Sequence, residues 1–169
     1  MTLMRTASFG LLAVAGLLSF RSSWAQQPAA PLAIPAQILA AKKVFIYNGG
    51  VDSASSGVSE RAVGPNDPYN RFFLAMKAWG RYEIVGTPAD ADLVLELRFT
   101  APLSSCQTYQ PLLALAILDT KTHFRLWTLT KPVGDARRRA AWDKNLKEGI
   151  DNLVDDLRQL ATGPAFASR

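Results

Sequence analysis

Cysteine and histidine are almost missing from this chain: Cys106 is the one thiol and His123 the one imidazole in 169 residues. A lone cysteine closes no internal disulfide, so packing has to hold the fold even in an oxidising compartment. Cys106 is expected to be a buried, inert thiol. A nucleophilic dyad would have to join Cys106 to His123, and no third group that would orient the imidazole is identifiable. The sequence also has no Walker loop, GxSxG, HExxH, CxxC or GxGxxG motif. No cofactor is implied, and there are no internal repeats. No apolar run reaches the roughly 20 residues that a membrane-spanning helix needs.

What the chain does have is an export address. Arg5 supplies a positive start, residues 9–18 (FGLLAVAGLL) are apolar throughout, and Ser23-Trp24-Ala25 ends in the small-x-small pattern that signal peptidase reads. Residues 1–25 are therefore expected to be a cleaved signal peptide, with the mature protein starting at Gln26. No cysteine stands at the cleavage point to carry a lipid anchor. The expected location is periplasmic or secreted, with no transmembrane segment left after cleavage. The full chain carries +5, and losing Arg5 and Arg21 leaves +3. That mild excess suits an anionic envelope component and is too small to argue for nucleic acid.

The remaining 144 residues (169 less 25) are enough for one domain with one core. Residues 26–39, rich in Pro and Ala, read as an extended linker. Residues 40–162 read as a single α+β domain, and 163–169 as a tail. Within the domain, residues 42–47 (KKVFIY) predict a strand ending at Asn48-Gly49-Gly50. Asn66-Asp67-Pro68 is a helix start, and Phe72, Ala75, Met76 and Trp79 fall on one face of the helix that follows, up to Gly80. Residues 81–85 predict a short strand. Residues 93–99 alternate, with Leu93, Leu95, Leu97 and Phe99 on one side. Residues 112–118 (LLALAIL) are apolar on both sides and predict a central strand, joined by a tight turn to a strand at 123–130.

Residues 137–160 predict the longest helix. Trp142, Leu146, Ile150, Leu153, Leu157 and Leu160 form one stripe, and Asp143–Lys147 and Lys144–Glu148 are spaced as solvent-side pairs. The order is β-α-β-β-β-β-α. It predicts a mixed, mostly antiparallel sheet with two amphipathic helices packed on one face. Only the first crossover, which passes through a helix, is expected to be parallel; the shorter connections are expected to be antiparallel.

Three groups are candidates for a site. Asn48, Gly49 and Gly50, followed by Asp52 in the long segment 48–67, place flexible backbone after a strand, where amides can bind an anion. Arg137, Arg138 and Arg139 open the last helix, where cations oppose the helix dipole; an anionic partner would account for them, and a solvated turn balanced by Asp135 and Asp143 is the plain alternative. Asp90, Asp92, Asp119 and His123 could serve a metal or acid–base chemistry only if their loops converge; at such positions Asp more often makes turns and caps, and no metal site is expected.

Ala91-Asp92-Leu93-Val94-Leu95, then Asp119-Thr120-Lys121-Thr122 and Leu126-Trp127, carry a resemblance. With the C-terminal amphipathic helix they are similar to a group of small exported bacterial envelope proteins, a domain of unknown function found in many lipoproteins. The resemblance covers residues 40–162 and implies an α+β domain like those of envelope assembly and accessory factors. It brings no catalytic residues, and this chain departs from the group in lacking the lipid-bearing cysteine. The expected function is a non-enzymatic envelope domain that binds an envelope protein or component, through the 48–67 segment or an exposed sheet face. The alternative is a small periplasmic hydrolase or transferase using Asp and His residues.

Overall fold

A computed structural model describes residues 33–51, 64, 66–102, 110–136 and 138–163. The chain divides into a unit Met1–Ala30 and a unit Pro31–Arg169, and the described residues all belong to the second. The expected signal peptide lies outside them. In the second unit the elements run α1 (Ala36–Ala40), β1 (Lys43–Val51), α2 (Asp67–Trp79), β2 (Glu83–Ile84), a 3-10 turn at Pro88–Asp90, β3 (Leu93–Thr100), β4 (Leu112–Asp119), β5 (Arg125–Pro132) and α3 (Arg139–Thr162). This is the α+β order expected, with one short helix added in front. The five strands form one sheet in the order β2-β1-β3-β4-β5.

Register follows from side-chain alternation, because a slip of one residue would turn every buried side chain to the wrong face. Val44 and Ile46 sit opposite Leu93 and Leu95 in the parallel β1–β3 pair. Leu95, Leu97 and Phe99 face Ile117, Leu115 and Leu113 in the antiparallel β3–β4 pair. These side chains share one sheet face and are buried, and the two long helices pack on it. From α2 come Phe72 and Met76. From α3 comes the whole expected stripe, Trp142 to Leu160, each residue at most 2% exposed. Trp142 meets Phe99 edge-on with ring centres 6.1 Å apart. Gly80, at φ 70°, stops α2 in the left-handed conformation that a glycine adopts without penalty.

Four expectations need correction. The segment read as linker up to residue 39 folds at its end: Ile38 of α1 is fully buried, which secures a short helix that has no capping side chain. Next, β2 is parallel to β1 as expected, but β3 is parallel to β1 as well, on its other side, although the short connection from β2 suggests an antiparallel strand. The reason is that β2 is only two residues long. The chain barely advances along it, so the turn at Pro88–Asp90 crosses the start of β1 with little return; Val85 N–H donates to Val44 O and Asp92 N–H to Lys43 O.

Third, β5 starts at Arg125 and not at 123, because Asp119 closes a wider turn. Its carboxylate accepts from both the N–H and the hydroxyl of Thr122, and His123 takes a positive φ of 58°. Last, Asp143 and Lys147 do not pair with each other. Arg71 reaches across from α2 to Asp143 at 2.8 Å while also holding Asp67, and Lys147 pairs with Asp151 one turn on.

Candidate functional site

The sheet has two ends and two faces, and the candidate residues separate cleanly between them. At the end where β1 and β3 finish stand Asn48, Gly49, Gly50, Arg138 and Arg139. Phe99 beside Val51 in the register, and Trp142 of α3 against Phe99, fix this proximity. The glycines are not a loop after the strand, as expected from the sequence. β1 runs on through them to Val51, with a register shift between Asn48 and Val51. Asn48 makes this possible: its Oδ1 accepts from Gly50 N–H at 3.0 Å and its Nδ2 donates to Asn66 Oδ1 at 2.9 Å. The Gly50 amide is thereby engaged within the chain.

Gly49 serves a different need. A Cβ there would stand 2.6 Å from Arg98 Cγ and 2.9 Å from Glu96 Oε1. Its bare backbone lets the Arg98–Glu96 pair, 2.7 Å apart, lie across β1. Arg138 is the residue before α3 and Arg139 its first, and neither has an ion pair among the described residues. The Asp143 expected to balance them is taken by Arg71. Asp52, Arg137 and Cys106 lie outside the described residues.

At the opposite end are Asp90, Asp92, Asp119 and His123. All three carboxylates have structural partners. Asp92 Oδ2 accepts from Lys42 N–H at 2.8 Å and from Lys43 N–H at 2.9 Å. That explains the Ala-Asp-Leu motif: the aspartate before β3 binds the first amides of the neighbouring parallel strand and fixes their relative start. The two backbone bonds hold the Asp92 carboxyl below its ordinary range. Asp119 is lowered by the hydroxyl and amide of Thr122, and Asp90 Oδ2 accepts from Thr87 Oγ1 at 2.8 Å. Asp92 and Asp119 line one groove of about 460 Å³ with α1 and the β4–β5 turn. Among the described residues, no three His, Cys, Asp or Glu side chains converge as metal ligands would.

A mutational consequence follows from the Asp92 contacts. Asp92→Ala is expected to cost about 1 kcal/mol, the typical value for losing a capping carboxylate at an accessible site. The folded carboxyl binds a proton less readily than the unfolded one. Its contribution is therefore complete above the ordinary carboxylate value of 3.8 and fades as pH falls through the lowered native value. Denaturant titrations at neutral pH and near pH 2 should show the gap between wild type and variant shrinking; an equal gap at both would contradict the assignment.

The second face of the sheet is what the sequence only half anticipates. Among the described residues no element packs on it. Tyr47 in the middle of β1 is 50% exposed. Leu112, Ala114, Ala116 and Leu118 give β4 an unbroken apolar row on this face, mostly half-buried by their neighbours. Glu96, Arg98 and Thr100 of β3 flank the row on one side, with Thr128 and Thr130 of β5 on the other. The row explains why 112–118 is apolar on both sides: one side is core and the other is the centre of this face.

No protein-family model matches the chain, and no curated protein matches it in sequence. Solved structures do. PelC from Paraburkholderia phytofirmans, a dodecamer, aligns at a TM-score of 0.45 with 11% identity over 69% of this chain and 86% of its own. Lipoprotein B from Nitrosomonas europaea aligns at 0.38 with 16% identity over 73% and 84%. Lipoprotein GNA1162 from Neisseria meningitidis aligns at 0.35 with 10% identity over 68% and 99%.

Proposed function

We propose that this chain is an exported, non-enzymatic domain of the bacterial envelope that binds another envelope protein through the open face of its sheet. The observation that supports the reading is the apolar row of β4, rimmed by polar residues of β3 and β5, with Tyr47 standing 50% exposed on the same face one strand further on, in β1. An apolar patch with a polar rim is how a soluble protein marks a contact surface, and aromatic residues anchor such contacts at low entropic cost. Catalysis is the weaker reading, because Asp90, Asp92 and Asp119 are engaged in turns and strand starts.

Photo-cross-linking in the exporting cell tests this. A photoreactive residue replacing Tyr47 should give a discrete adduct in the envelope fraction. One replacing Lys144, on the exposed side of α3, should not. The same adducts at both positions, or none at 47, would count against the open face.

A further inference from the structure

Four large apolar side chains are exposed among the described residues, and two of them, Leu39 at 41% and Phe124 at 73%, belong to one end of the domain. Leu39 is on α1. Phe124 is on the turn between β4 and β5. The two elements form facing walls of the groove at that end: Gln37, Ala40 and Ala41 on one side, Thr120, Lys121 and Thr122 on the other. The turn itself is basic and aromatic. Lys121, His123, Phe124 and Arg125 are all exposed, and its acid, Asp119, has its carboxylate bound to Thr122. Lys42, also exposed, stands at the same end, with its backbone N–H held by Asp92; the exposed Asp90 and Asp92 are at this end too, their carboxylates bound to Thr87 and to the amides of Lys42 and Lys43.

Among the described residues no packing accounts for Phe124. It is not part of the core cluster or of the side chains packed against it. The turn is also held firmly in place. Asp119 N–H donates to Phe124 O, His123 N–H donates to Asp119 O, and His123 adopts a positive φ that a non-glycine residue rarely takes.

We infer that this end is a bilayer-facing surface, with Phe124 and Leu39 entering the headgroup region of an anionic membrane and Lys121 and Arg125 pairing with lipid phosphates. An aromatic side chain flanked by cations suits that interface: the ring leaves water for the acyl boundary while the charges stay at the phosphates. A protein partner would demand a wider apolar area than a turn and one leucine provide. The inference rests on the envelope reading only for the bilayer that the domain meets; its surface is separate from the open sheet face.

The experiment is co-sedimentation of the chain, processed by the exporting cell, with vesicles of phosphatidylglycerol and phosphatidylethanolamine, and with phosphatidylcholine alone. Binding should be found on the anionic vesicles and weaken steeply with added salt. F124S should reduce partitioning on the order of tenfold, as expected for losing one buried aromatic. K121E/R125E should reduce it similarly and leave little salt dependence. Circular dichroism confirms that both variants fold, which is expected because the altered side chains are exposed. Tyr47→Lys should leave vesicle binding unchanged, so the open-face reading can fail without this one. Equal binding to both vesicle types, no binding by the wild type, or no change in either variant would overturn the inference. So would a Phe124-dependent dimer seen by light scattering without lipid, which would make a second copy the occupant.

Discussion

Leu153→Ala should destabilise the domain by roughly 2–5 kcal/mol, the range for truncating a fully buried leucine that leaves a cavity. Leu153 is 0% exposed and sits in the middle of the α3 stripe, between Ile150 and Leu157. Neighbours above and below on the helix and the sheet opposite prevent the site from collapsing, which favours the upper part of that range. Lys147→Ala on the same helix should cost under ~0.5 kcal/mol, because its pair with Asp151 is exposed. Denaturant titration of the two variants side by side tests the orientation of α3. Similar midpoints for both would mean that the helix is rotated from its assigned face.

The second large effect is expected at Gly149, where the sign depends on the size of the replacement. Gly149 is buried in α3 against the β4–β5 side of the sheet. A Cβ there would meet Val133 Cγ2 at 3.2 Å, Leu113 Cδ1 at 3.3 Å and Pro132 O at 3.6 Å. Gly149→Ala adds a methyl that the two side chains can accommodate by small movements, and it gains about 1 kcal/mol of helix propensity. The net change should lie near zero. Gly149→Leu has no space without lifting the helix from the strands, and overpacking of this kind costs roughly 1–3 kcal/mol or more. Thermal melts should therefore place Ala close to wild type and Leu well below. If Leu were tolerated as well as Ala, α3 would not pack as closely as described.

The strongest parts of the fold were legible because they rest on local periodicity. The Trp142–Leu160 stripe can be buried only as a helix, and the alternation from Leu93 to Phe99 can be buried on one side only as a strand. Asn66-Asp67-Pro68 and Gly80 bracket α2 through the backbone preferences of the residues themselves. The candidate site was less legible. Asn48-Gly49-Gly50 has the composition of a turn, yet Asn48 bonds back to Gly50 and the bare Gly49 admits Arg98, which keeps the segment in the sheet. No pattern within β1 carries that information, because the partner side chains come from β3.

The same division explains the charges. Spacing along α3 suggests Asp143 with Lys147, but Arg71, 72 positions away, takes Asp143. Sequence distance says nothing about which helices meet. It likewise hides that Asp92 binds the amides of Lys42 and Lys43, although the Ala-Asp-Leu motif marks the residue. By itself the sequence determined the two long helices, the cores of the strands, the buried face of each, and an apolar β4 with two faces to satisfy, since these depend on short-range stereochemistry and on the cost of leaving apolar area in water. The tertiary structure alone decided the strand order, with β1 between two parallel neighbours, and which face of β4 is left uncovered by the helices. It also decided that Leu39 and Phe124 share one end. Those outcomes depend on contacts between segments far apart in the chain, where side chains from several elements compete for the same space.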